Sequence, residues 1–211
     1  MITGEAFAKV NFGLRVGRTR EDGFHPIAGV FQSVDIADHL GIEAAETDTI
    51  VTSRGGPVAE GLRNLAFRAA AAVRSAAGDQ QRLRLTLDKT TPAAAGLGGG
   101  SADAAAGLGL AGRYFGVTHE TLAGLAPQLG SDVPFCFVGG TARVSGRGEH
   151  VESLPPLDGF ALAVVVPPID LSTPAAFRQW DEMGEPEGLR IASRDLPPAL
   201  RDGGDLQNDL Y

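Results

Sequence analysis

The stretch Thr91-Pro92-Ala93-Ala94-Ala95-Gly96-Leu97-Gly98-Gly99-Gly100-Ser101-Ala102-Asp103 constrains this chain more than any other. It joins the alternating segment Leu83-Arg84-Leu85-Thr86-Leu87 to an alanine-rich run, so a strand should feed a helix through residues that only glycine makes easy. Glycines at 96, 98, 99 and 100 allow positive φ and a backbone pressed against a ligand, with successive N–H groups turned inward as an anion nest. Residues 101–110 read as a helix whose N-terminal partial positive charge would face the same anion. The pattern predicts a phosphate loop; the plain alternative is a flexible glycine turn before a helix. A Walker A loop is excluded, because Ser101 follows three glycines with no lysine between. A dinucleotide fingerprint fits only in part: Ser101 stands in place of its last glycine, and Glu120, near the spacing of its acidic residue, falls among helical residues.

With 211 residues the chain can bury a substantial core in one or two domains. A formal charge of −8 argues against a nucleic-acid partner, which needs a basic face. The one cysteine, Cys136, excludes an internal disulfide and suits a reducing cytoplasm. Its setting, Phe135-Cys136-Phe137-Val138, reads as a buried thiol rather than a nucleophile. No signal peptide is visible, and the longest apolar run, 160–166, is far short of the ~18 residues of a membrane helix. A soluble cytoplasmic protein is expected, without membrane contact.

In Ala8-Lys9-Val10-Asn11-Phe12-Gly13-Leu14, Val10, Phe12 and Leu14 alternate with Lys9, Asn11 and Gly13, so a strand would bury the first set. Local pattern alone makes Lys9 a solvated lysine on an edge strand. A polar turn follows at Asp22-Gly23-Phe24-His25-Pro26, then one or two strands over 30–42. Residues 62–77 carry apolar side chains at helical spacing, and Thr118 could cap a helix over 119–129 ending at Gly130. Asp132, beside Pro134, reads locally as a turn residue leading into an apolar strand over 135–138, with a further strand over 141–145. Leu154-Pro155-Pro156 is the best domain boundary. Beyond it, 160–166 reads as a buried strand, and Ser172-Thr173-Pro174 as a helix start.

The glycine-rich string resembles the second motif of the GHMP kinases, and the chain as a whole resembles their diphosphocytidyl-methylerythritol kinase branch at five places. These are Ala8-Lys9-Val10-Asn11; Asp22-Gly23-Phe24-His25 with Val30-Phe31-Gln32-Ser33-Val34-Asp35; Asn64-Leu65; Asp88-Lys89 through Asp103; and Leu129-Gly130-Ser131-Asp132-Val133-Pro134-Phe135. The resemblance implies an α+β fold of GHMP kinase type. An N-terminal domain like the second domain of ribosomal protein S5 would occupy 1–155, and part of a ferredoxin-like α/β domain 156–211.

It also implies ATP-dependent phosphorylation of the 2-hydroxyl of 4-diphosphocytidyl-2-C-methyl-D-erythritol, in isoprenoid precursor biosynthesis by the non-mevalonate route. Asp132 would be the catalytic carboxylate and Lys9 its cationic neighbour. Pro92, Ala93, Ala94, Ala95, Gly96, Leu97, Gly98, Gly99, Gly100, Ser101 and Ala102 would wrap the triphosphate, with Ser101 near Mg²⁺. Asn64 and Lys89 match positions around the adenosine. His25 matches the residue that reads the cytosine edge, with Phe24, where many relatives have Tyr, and Phe177 as rings closing on the base. Asn11 and Phe31 would complete the acceptor pocket.

Relatives continue past an Asn-Asp-Leu like Asn208-Asp209-Leu210 to a third Gly/Ser-rich motif, whereas this sequence stops at Tyr211. A shortened or altered protein is therefore expected. Two alternatives stay open: a homoserine- or mevalonate-type GHMP kinase, and a non-catalytic nucleotide-binding protein. The residues carry no reading of oligomeric state.

Overall fold

A computed structural model describes residues 1–54, 61–157, 159, 161–166, 173–184, 189–191 and 206–210. Two long antiparallel strands, β1 (Ile2–Val16) and β2 (Ile27–Ala45), pair from Ile2↔Ile42 to Val16↔Ile27. The 19-residue β2 serves two neighbours. Its C-terminal half takes β4 (Arg82–Asp88), with β3 (Thr49–Arg54) parallel beyond it. Its N-terminal half takes β5 (Thr141–Gly146), which pairs in turn with β6 (His150–Ser153). On the other side of β1 lie β8 (Leu206–Asn208), parallel, and then β7 (Leu189–Ile191).

Helices cover one face. The alternation of β4 buries Leu83, Leu85 and Leu87, and Leu40 and Ile42 of β2 lie in the same cluster. They meet Ala66, Phe67, Ala69, Ala70 and Val73 of α1 (Leu65–Ala76) and Ala104, Leu108 and Ala111 of α2 (Gly99–Phe115). Alanine faces let helix axes approach closely, which the composition of both helices permits. The third helix, α3 (His119–Leu129), begins at its Thr118 cap, whose hydroxyl accepts the Thr121 N–H, and it ends before Gly130. A second core joins Leu14, Val16, Phe31, Ala142 and Val144 of the sheet to Phe135 and to Trp180 on α5 (Thr173–Glu182). No helix among the described residues is long and apolar enough to cross a membrane.

Four expectations are corrected. Residues 135–138 are not a strand but part of a short helix, α4 (Val133–Val138). Four apolar residues suit either state; Pro134 in the opening turn and Phe135 packed edge-on to Phe31, ring centres 5.4 Å apart, settle it as helix. Residues 161–166 are exposed and form no strand, Val165 being 87% exposed, because no strand among the described residues lies beside them; Phe160 lies outside the described residues. Finally, Val10 and Phe12 are only partly buried while Lys9 is buried, because register shifts at Phe7/Lys9 and Asn11/Gly13 break the simple alternation of β1. Beside Lys9 the outer side of β1 is covered by the glycine-rich loop, Lys9 N–H bonding the Leu97 carbonyl, while β8 pairs with β1 at Leu14↔Asn208, so the solvated edge placement of Lys9 does not hold.

Candidate active site

The glycine-rich stretch runs from β4 to α2 as an irregular loop with positive φ at Ala94 (53°), Gly96 (72°) and Gly98 (68°). Helix α2 starts at Gly99 with no side-chain cap, and Ala102 N–H bonds the Gly98 carbonyl. The opening amides of a helix have no partner within it, so those of α2 are free to meet an anion lying on the loop. Ser101 is half-buried on that first turn.

Strand β1 is stitched to this loop by a bond from Lys9 N–H to the Leu97 carbonyl, 2.9 Å. The Lys9 ammonium lies 3.6 Å from Asp132 Oδ2 and 3.2 Å from Asn11 Oδ1, and 5.3 Å above the Phe31 ring. The Lys9 side chain is 8% exposed and that of Asp132 29%, so the carboxylate is the more accessible of the two. Asp132 stands at the start of α4, where its carbonyl accepts the Cys136 N–H at 3.0 Å. The turn between β5 and β6 braces it from behind. A Cβ on Gly148, at φ +111°, would fall 2.1 Å from the Ser131 carbonyl oxygen, so only glycine fits there. Burial, with the nearby Asp132 charge, pushes the Cys136 thiol up to about 12, which makes it inert as a nucleophile. Phe31 is 1% exposed and reaches the site only through Lys9.

Phe24 is 44% exposed and carries the Arg147 guanidinium 3.7 Å over its ring. His25 Nδ1 lies 3.0 Å from the Gly17 carbonyl oxygen, which can only accept, so Nδ1 carries the proton. Its Nε2 faces Thr19 Oγ1 at 3.3 Å and Asp181 Oδ2 at 3.4 Å. Phe177 stacks on the His25 imidazole itself, centres 5.0 Å apart and planes at 21°, while Trp180 meets it edge-on at 5.6 Å. The ring contact of Phe177 is thus with His25, and that of Phe24 with Arg147.

Asn64 and Lys89 occupy positions with clear structural work. Asn64 is the N-cap of α1, its Oδ1 accepting from Ala66 N–H at 2.9 Å and Phe67 N–H at 3.3 Å. Lys89 lies between two carboxylates that the sequence reading did not single out, bonding Asp38 Oδ2 and, at 2.8 Å, Asp103 Oδ2. Burial pulls the Lys89 pKa down, but the hydrogen bonds to Asp103 and Asp38 outweigh it and leave it raised. The two carboxylates diverge. Burial pushes Asp103 up to about 6 against the pull of Lys89. Burial also raises Asp38, but Lys89 and the Thr91 and Thr90 amides overcome it, so its pKa ends below the ordinary value. Asp38 has two backbone N–H donors, whereas the Asp103 Oδ1 has no partner among the described residues. Each carried a faint signal: an aspartate inside the apolar run Ile36-Ala37-Asp38-His39-Leu40, and one inside an alanine-rich helix.

Residues 64–140 match the model of the GHMP kinases N-terminal domain. The chain is 44% identical to the 4-diphosphocytidyl-2-C-methyl-D-erythritol kinase of Moorella thermoacetica, over 86% of this chain and 64% of that one. It is 37% identical to the enzyme of the same name from Corynebacterium efficiens, over 99% of this chain and 72% of that one. It therefore spans roughly two thirds of the length of these relatives. A crystal structure of 4-(cytidine 5′-diphospho)-2C-methyl-D-erythritol kinase superposes with a TM-score of 0.75 at 34% identity, covering 99% of this chain and 75% of that one. The mevalonate kinase of Methanococcus jannaschii superposes at 0.56 with 10% identity, a likeness of fold alone. At 37% identity over 72% of that Corynebacterium relative, the chain belongs to the 4-diphosphocytidyl-2-C-methyl-D-erythritol kinase family of GHMP kinases.

Proposed function

We propose that this protein transfers the γ-phosphoryl group of ATP to the 2-hydroxyl of 4-diphosphocytidyl-2-C-methyl-D-erythritol. The observation that carries the reading is the ion pair of Lys9 with Asp132, 3.6 Å, at the strand that bonds the glycine loop. A tertiary alcohol is a poor nucleophile, and a partly open carboxylate can orient it and take its proton as the new O–P bond forms and the bond to the ADP oxygen breaks. Lys9, held among Asn11, Phe31 and Asp132, adds fixed positive charge where negative charge spreads over the transferring group. The loop from Pro92 to Gly98 and the opening amides of α2 would hold the polyphosphate.

Mg²⁺ would be held by the phosphates and the Ser101 hydroxyl, supplying charge neutralisation. The acid nearest that hydroxyl on α2, Asp103, is bonded to Lys89, which fits a metal held chiefly through substrate oxygens. For the acceptor, His25 is oriented by the contact of its Nδ1 with the Gly17 carbonyl, and its Nε2, beside Thr19 Oγ1 and Asp181 Oδ2, is the ring atom that would meet the cytosine edge. Phe24 offers an exposed ring for stacking, worth roughly 1–3 kcal/mol per base.

The test is ADP release with the cytidylyl acceptor, run beside homoserine and mevalonate, on the wild type and Asp132→Ala. We expect release with the cytidylyl acceptor alone, a fall of about a hundredfold or more in the variant, and nucleotide affinity within about twofold. Near-normal turnover by the variant, or preference for homoserine or mevalonate, would reject the assignment.

A further inference from the structure

Beneath the glycine loop lies a bridge of three charged groups. Asp38, fully buried in the middle of β2, accepts on Oδ1 the N–H groups of Thr90 at 2.6 Å and Thr91 at 2.8 Å, and on Oδ2 the Lys89 ammonium. The same ammonium crosses to Asp103 Oδ2, 2.8 Å away on the opening turns of α2. Residues 89–91 are the entrance of the loop and 99–103 its exit. Both ends are therefore fastened to each other and to the sheet through one lysine. The fit at the exit is close: a Cβ on Gly99 would lie 3.4 Å from Lys89 Nζ and 2.9 Å from Thr91 Cγ2.

Stability accounts for the Asp38–Lys89 pair but not for Asp103. It is a second buried carboxylate on the same cation, and its Oδ1 has no partner among the described residues, which costs free energy. Charge does not account for it either, since a net negative cluster below an anion site opposes anion binding. What the bridge supplies is geometry.

We propose that Asp38, Lys89 and Asp103 form a clamp that sets the separation between the two ends of the glycine loop. Lys89 and Asp103 are then positioning residues for the nucleotide polyphosphate, and Lys89 does not touch the adenosine. The inference rests on the reading above that this loop holds ATP.

The decisive variant is Asp103→Ala. Alanine suits the helix, and the remaining Asp38–Lys89 pair is charge-balanced, so the fold survives. Binding of Mg·ATP and of AMP, which lacks the outer phosphates, is measured by calorimetry, together with amide hydrogen exchange over 91–99. The clamp predicts an ATP dissociation constant raised about tenfold, an AMP constant within about twofold, and faster exchange in the loop. Kinetically, KM for ATP rises while KM for the acceptor holds. Simple electrostatics predicts the opposite sign, because deleting an anion near the phosphates should tighten ATP. Unchanged or tighter ATP binding overturns the clamp. In Lys89→Met, equal losses for ATP and AMP would place the lysine on the adenosine and overturn it as well. If the wild type binds no ATP, the nucleotide reading fails on its own; loop exchange in Asp103→Ala then decides the clamp, faster exchange supporting it and unchanged exchange refuting it.

Discussion

Gly96 and Gly98 offer a matched pair of perturbations. Their φ angles are 72° and 68°, so Ala at either site carries the same left-handed backbone strain, about 1 kcal/mol. Their surroundings differ. A Cβ on Gly96 meets nothing within 4 Å, whereas one on Gly98 falls 2.9 Å from Lys9 Cγ and 3.1 Å from Cε. Carbon atoms settle at roughly 3.5–4.0 Å, so Gly98→Ala must push the Lys9 stem by about 0.5–1 Å. Lys9 is 7% exposed and held by Asn11 and Asp132, so it cannot swing aside without moving its ammonium. A displacement of that size at a reacting centre costs about 10- to 100-fold in turnover. The assay is turnover at saturating ATP and acceptor, alongside thermal midpoints. Both variants should lose similar stability; Gly98→Ala should fall about 10- to 100-fold in kcat, and Gly96→Ala should stay within about threefold. Equal losses of kcat in the two variants would refute the steric argument and the role of Lys9 placement with it.

Gly148→Ala should be worse for stability, by about 3 kcal/mol, because its Cβ would sit 2.1 Å from the Ser131 carbonyl; turnover should fall too as Asp132 shifts, and a variant as stable and active as wild type would disprove the bracing turn. Asn64→Ala should lose about 1 kcal/mol in denaturant melts while Asn64→Asp keeps it, since either Asn or Asp caps a helix; equal melts for all three would dismiss the cap. Asp48 is held down to about 2, first by its Arg74 hydrogen bond, with the Leu83 amide and Arg82 assisting against burial. A lowered carboxylate stabilises the fold above its unfolded pKa near 4 and loses that contribution as pH falls toward 2. The stability gap between wild type and Asp48→Asn should be about 1–2 kcal/mol at pH 6 and shrink below pH 4; a gap constant down to pH 2.5 would contradict the assignment.

What was legible in the sequence is what local physics dictates. Alternation in Leu83-Arg84-Leu85-Thr86-Leu87 marks β4, Thr118 and Gly130 bracket α3, and glycines at 96 and 98 mark the loop, while Gly99 and Gly100, expected in it, open α2 instead; period, caps and positive φ are properties of neighbouring residues. The pairing of Lys9 with Asp132 was legible only through resemblance; by local pattern one was an edge-strand lysine and the other a turn residue. Tertiary structure decided the rest. It buried Lys9 by laying the glycine-rich loop along β1, made a helix of 133–138 by seating Phe135 against Phe31, and left 161–166 exposed. It also brought Asp38 of one strand and Asp103 of a helix onto a single lysine. No local rule reports such meetings, because the energy of a buried charge depends on which distant group arrives beside it, and only the packed chain determines that.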